Sequence, residues 1–160
     1  MNKSWIANGF TAANALFGGL SIMMSISGEY HVAAICILIA MAADAFDGKV
    51  ARALGTAGPM GVELDSLSDD ISFGVAAGAL MYSYQLRELG ALGFIPCALL
   101  GAFCAFRLAR FNVKVTSVHG YFEGLPCPTV GVIIACYVLS GVKIWNWLAM
   151  VCVLVLAVLM

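Results

Sequence analysis

An all-α integral membrane protein, a six-transmembrane-helix bundle around one buried acidic site, is the fold class this sequence predicts. Three observations carry that reading. The chain of 160 residues is 62% hydrophobic and only 11% charged, with a mean hydropathy of +0.98. Its apolar residues fall into six stretches, each near the ~20 residues that cross a bilayer. Six of its nine acidic residues nevertheless crowd between Asp44 and Asp70. Such apolar content excludes a soluble domain, so the bilayer is the solvent.

The first stretch, 4–27, follows a single basic residue, Lys3, and is interrupted by Asn8 and Asn14. No small-residue cleavage site follows it, so it reads as a span rather than a secretory signal. Asn8, Thr11, Asn14 and Gly18 recur at intervals of three, three and four, which places them on one helical stripe. That stripe serves either helix packing through interhelical hydrogen bonds or one wall of a polar pocket. The second and third stretches, 31–53 and 62–84, carry most of the acidic residues.

The fourth stretch, 88–110, runs out into Arg107-Leu108-Ala109-Arg110-Phe111-Asn112, with Lys114 beyond. Arg107 and Arg110 are three apart and share a face. They act either as snorkelling anchors at the membrane surface or as planar donors to a lipid phosphate or to an acidic group on an acceptor. The fifth stretch, 126–141, is entered through the turn Phe122-Glu123-Gly124-Leu125-Pro126-Cys127-Pro128. The sixth, 144–160, is also short and stops at Met160 inside an apolar run, which leaves open a longer natural last helix. Short loops predict a compact bundle. With no internal repeat or linker, 1–160 reads as a single transmembrane domain.

The acidic residues lie on a grid: Asp44-x-x-Asp47-Gly48-x-x-Ala51-Arg52, eight residues, then Gly61-x-x-x-Asp65-x-x-x-Asp69. Asp44 and Asp47 share one helical face, as do Asp65 and Asp69, so two helices packed face to face bring four carboxylates to one point. Carboxylates at membrane depth are costly and need a neutralising partner. An all-oxygen donor set suits two divalent cations, Mg²⁺ or Mn²⁺, with Ca²⁺ also able to occupy it. No histidine or cysteine lies within the grid, which disfavours zinc. Gly48 and Gly61 leave room for something bulky, and Arg52 adds a fork-shaped cation suited to phosphate. Metal, arginine and small residues together describe a diphosphate site.

The string DAFDGKVARALGTAGPMGVELDSLSD, residues 44–69, resembles the signature of the CDP-alcohol phosphotransferases, D-x2-D-G-x2-A-R-x8-G-x3-D-x3-D, and meets it at every fixed position. The resemblance implies a two-metal centre at Asp44, Asp47, Asp65 and Asp69 on the pyrophosphate of a CDP-activated lipid. It further implies Asp69 as general base toward an acceptor hydroxyl, and Gly48, Ala51, Arg52 and Gly61 as the seat of the nucleotide. Asn8, Thr11 and Asn14 are similar to a pattern the family often shows in its first helix, although Ala7 stands where a proline is common. The runs RLARFN and FEGLPCP, with LDSLSDDISFG from Leu64 to Gly74, resemble the phosphatidylserine synthase branch. That likeness implies CDP-diacylglycerol as donor, L-serine as acceptor, phosphatidylserine and CMP as products, and a homodimer among membrane lipids. Arg107, Arg110, Asn112 and Lys114 are then candidates for the acceptor or the lipid phosphate. A serine ammonium is left to Glu63, Asp70 or Glu123.

A cytoplasmic N-terminus places Lys3, Lys49, Arg52, Arg107, Arg110 and Lys114 inside and only Arg87 and Lys143 outside. That distribution favours a multi-pass protein of the cytoplasmic membrane with its acidic site facing the cytoplasm. The six cysteines have no metal-ligand spacing and read as reduced core residues. A net charge of −1 gives no sign of nucleic-acid binding. Two other readings share these features: the same chemistry with glycerol 3-phosphate as acceptor, and a cation transporter with buried carboxylates.

Overall fold

The computed structural model describes residues 4–54, 58–114 and 124–160, with the side chains of 4–8, 50–54, 59 and 114 outside the description. Among the described residues every regular element is helical. Helices α1 (Ser4–Ile26) and α2 (Tyr30–Leu54) follow the first two apolar stretches closely. The third stretch is one continuous helical path in three parts: α3 (Pro59–Asp69), a π-helical segment (Asp70–Val75) and α4 (Ala76–Tyr84). A 3₁₀ turn (Leu86–Leu89) leads to α5 (Ala91–Lys114), and α6 (Cys127–Leu139) and α7 (Asn146–Leu159) complete the bundle.

Among the described residues, three helical segments are long and apolar enough to cross a membrane: Gly9–Ile26, Tyr30–Lys49 and Ala91–Val113. The expected spans at 126–141 and 144–160 become helices of 13 and 14 residues. At 1.5 Å per residue these reach only about 20 Å, short of the ~30 Å hydrocarbon core. Their limits have local causes. Pro126 and Pro128 begin α6 where a missing N–H is harmless, and Gly141 at φ +68° turns the chain after it.

The π segment is the centre of the packing. It lies against α1, α5 and α6, and Ser72, Phe73 and Gly74 are buried within it. Phe73 is the largest fully buried side chain, joined in the core by Ile37, Leu80, Leu100 and Val130. Close approach there depends on missing side chains. A Cβ on Gly18 of α1 would lie 2.3 Å from Ser72 Oγ and 2.9 Å from Ser72 Cα. Small residues at such crossings are how membrane helices gain contact without a hydrophobic driving force. Large side chains such as Met23, Ile26 and Phe106 are exposed on the outside of the bundle, the expected face toward lipid.

At the end of the bundle where α2 starts and α4 ends, polar groups form a clasp. Gln85 Nε2 donates to the Ile144 carbonyl at 2.5 Å and to Asn146 Oδ1 at 3.1 Å, while Tyr137 OH donates to Gln85 Oε1 at 2.5 Å. Asn146 Nδ2 then donates to Glu88 Oε2 at 2.7 Å. Lys143 Nζ sits 4.8 Å from the centre of the Tyr84 ring, so Lys143 and the segment carrying Arg87 share this end. Gln85→Leu removes the acceptor of the Tyr137 hydroxyl and the donor to the Ile144 carbonyl and Asn146 Oδ1, so a loss of about 1–3 kcal/mol is expected. Tryptophan fluorescence melting in detergent should show a lower midpoint; an unchanged midpoint would mean that the clasp does not hold this end together.

Candidate metal and diphosphate site

The grid falls on α2 and α3, at the end of the bundle opposite the clasp. Asp44 stands in the apolar span Tyr30–Lys49, and α3 presents Asp65 and Asp69 one turn apart. Carboxylate oxygens of Asp44, Asp65 and Asp69 all lie within 4.8 Å of one another. Asp44 comes within hydrogen-bonding reach of both Asp65 and Asp69. Asp44 and Asp65 are half-buried, whereas Asp69 is only 8% exposed. Three carboxylates so close, in so apolar a setting, repel unless a cation or shared protons join them.

Asp47 behaves differently from its three partners. It is buried, within electrostatic range of Asp44 and Asp65, but its Oδ2 accepts the hydroxyl proton of Thr11 from α1. The next residue on the same stripe, Asn14, donates from Nδ2 to Asp69 Oδ1 at 3.0 Å. Thr11 and Asn14 of α1 thus each fix one carboxylate by an interhelical hydrogen bond. Ser72 Oγ donates to the Asn14 carbonyl at 2.9 Å and so ties the π segment to the same point. Asn14 Oδ1 is buried with no partner among the described residues. The site therefore combines three converging carboxylates with an unpaired neutral oxygen close by, a donor set that fits a hard divalent cation.

The remaining sequence candidates divide. Gly61 has nothing within 4 Å of where a Cβ would stand, so the space beside α3 is open there. Gly48 is half-buried one residue beyond Asp47. Asn8, Ala51, Arg52 and Lys114 lie on helices, but their side chains are outside the described residues, and Glu123 falls outside them altogether. Asn112 Nδ2 donates to Ser66 Oγ at 3.0 Å, which binds α5 to α3 next to Asp65. Arg110 is exposed, whereas Arg107 is half-buried and directs Nη1 at Cys127 Sγ, 3.5 Å away. All six cysteines are free thiols. Sequence reasoning missed Ser72 and the π turn, because no residue spacing announces a helix that gains one residue in a turn.

The chain, with an acidic centre shared by its second and third hydrophobic segments, belongs to the CDP-alcohol phosphatidyltransferase family, whose pattern matches residues 4–159. Among curated proteins it is 37% identical over 137 residues to a Helicobacter pylori protein named CDP-diacylglycerol–serine O-phosphatidyltransferase, covering 85% of this chain and 58% of that one. It is 38% identical over 122 residues to the Bacillus subtilis protein of the same name, covering 76% and 68% respectively. A Methanothermobacter thermautotrophicus archaetidylserine synthase is 40% identical over 130 residues, or 80% of this chain and 55% of that one. The chain thus spans little more than half the length of two of these relatives.

Thr11→Val keeps the shape and removes the hydroxyl that holds Asp47. Loss of such a supporting hydrogen bond typically weakens metal affinity 10- to 100-fold. Mn²⁺ titration followed by electron paramagnetic resonance should show a drop of about that size; unchanged affinity would mean that Asp47 needs no help from α1.

Proposed function

We propose that the protein transfers a phosphatidyl group from CDP-diacylglycerol to the hydroxyl of L-serine, giving phosphatidylserine and CMP. The observation that carries this reading is the convergence of Asp44, Asp65 and Asp69 within a bundle of apolar helices in a chain of this family. The names of the relatives support serine in particular, in both bacterial and archaeal lipids. A lipid diphosphate needs its reacting end at an oxygen-rich site and its tails among apolar helices, and this site offers both.

Asp44, Asp65 and Asp69, with Asp47 beside them, would hold divalent cations, Mg²⁺ or Mn²⁺, which supply charge neutralisation on a diphosphate and stabilise a departing phosphate. The chain's own residues do the rest. Asp69, fixed by Asn14, takes the proton from the serine hydroxyl. The serine oxygen then forms a bond to the β-phosphorus of the donor as the bond to CMP breaks, and CMP leaves with the electron pair. Open space at Gly61 and the cation of Arg52 suit the nucleotide. The continuous path from Pro59 to Tyr84, with α6 and α7, completes six spans when the bundle tilts or thins the bilayer. The site then faces the cytoplasm, and the protein works as a homodimer.

CMP release by purified protein with CDP-diacylglycerol and Mn²⁺ should depend on serine. Release with glycerol 3-phosphate instead would keep the mechanism and change the acceptor. Ion flux in liposomes without CMP release would overturn the enzyme reading. Asp69→Asn should lower turnover at least about a hundredfold, the scale of a lost general base, while CDP-diacylglycerol binding measured separately persists. Equal loss of donor binding would make Asp69 mainly a ligand.

A further inference from the structure

A second polar cluster lies beside the carboxylate site. Asp70 opens the π segment and turns away from the grid toward α5, where it stands next to Cys104 across the bare face of Gly74. A Cβ at Gly74 would come 2.7 Å from Asp70 Oδ1 and 2.9 Å from Cys104 Cβ. Cys104 touches Cys127, and Cys127 accepts from Arg107 Nη1 at 3.5 Å. Cys127 is also within electrostatic range of Asp69, so the cluster borders the proposed base.

Two atoms in this cluster are fully shielded from solvent and have no hydrogen-bond partner among the described residues: Asp70 Oδ1 and Arg107 Nε. Unpaired buried atoms of charged groups are rare and costly. Here an acid and a base, joined through two weakly polar thiols, each leave an atom unused in a cluster that borders Asp69. A small molecule carrying one positive and one negative group would satisfy both.

We propose that Asp70 and Arg107 form the acceptor subsite, Arg107 receiving the carboxylate of serine and Asp70 its ammonium, so that the hydroxyl is presented to Asp69. This rests on the serine reading above and deepens it. The alternatives are less well placed: Arg110 and Glu63 are exposed. Asp70 also gives selection by repulsion. A phosphate-bearing acceptor such as glycerol 3-phosphate would bring two negative charges against it. An amino alcohol without a carboxylate would leave Arg107 unpaired.

The test measures CMP release by the full chain in CDP-diacylglycerol micelles with Mn²⁺, comparing serine with 3-hydroxypropionate, which keeps the carboxylate and hydroxyl but lacks the ammonium. In the wild type, serine should be preferred at least about tenfold in kcat/KM, the scale of one charge-assisted hydrogen bond. Asp70→Asn should raise the KM for serine about tenfold and bring the two acceptors close to equal, with the KM for CDP-diacylglycerol unchanged. A variant that loses donor and both acceptors alike would give Asp70 a purely structural role and overturn the proposal. Equal use of the two acceptors by the wild type overturns it without any variant. If the wild type releases no CMP with serine, the proposed function itself fails. If it does and Asp70→Asn keeps its KM and its preference, only the subsite assignment fails.

Discussion

The bundle is organised around carboxylates that an apolar medium does not tolerate alone. An ionised carboxylate removed from water needs hydrogen-bond donors, a counter-charge, or both. Helix α1 supplies the donors: Thr11 to Asp47 and Asn14 to Asp69. Counter-charge must come from outside the three converging aspartates, since no salt bridge neutralises them among the described residues. These three carboxylates could hold a metal ion, and a cation bound there would add its binding energy to the stability of the fold.

The π segment turns this requirement into geometry. By widening one turn directly after Asp69, it buries Ser72, Phe73 and Gly74 against three neighbouring helices at once. Ser72 reaches back to the carbonyl of Asn14, and Gly18 allows α1 to come close enough for that bond. Asp69 and Asp70 consequently serve different surroundings: one faces the grid, the other faces α5 and its cysteine and arginine. Such π turns are frequent at functional sites because they re-aim side chains without breaking the helix.

The two ends of the bundle are built on contrasting terms. At one, Gln85, Tyr137, Asn146 and Glu88 satisfy one another, and the result is a closed fastening. At the other, Asn14 Oδ1, Asp70 Oδ1 and Arg107 Nε remain unpaired beside carboxylates drawn together. Saturated polar groups rigidify a fold, and unsaturated ones mark where a ligand completes it. A family whose substrates are lipid diphosphates needs both, a firm frame and an incomplete polar centre within reach of lipid.

Composition and spacing alone determined the helical membrane class, the limits of the first two helices, and the pairing of aspartates on α2 and α3. These follow from periodicity, which is local and survives any arrangement of the helices. The stripe of Thr11 and Asn14 was visible too, but its partners were not: the bonds join residues 36 and 55 positions apart and depend on how α1 is rotated against α2 and α3. Tertiary structure alone decided that Asp47 is held apart from the other three, that Arg107 turns inward while Arg110 stays outside, and that Cys104 and Cys127 bridge an acid to a base. It also decided the π turn. Each of these outcomes is a matter of helix rotation and crossing, set by close contacts at glycines such as Gly18 and Gly74, and no single helix's sequence encodes the angle at which it meets another.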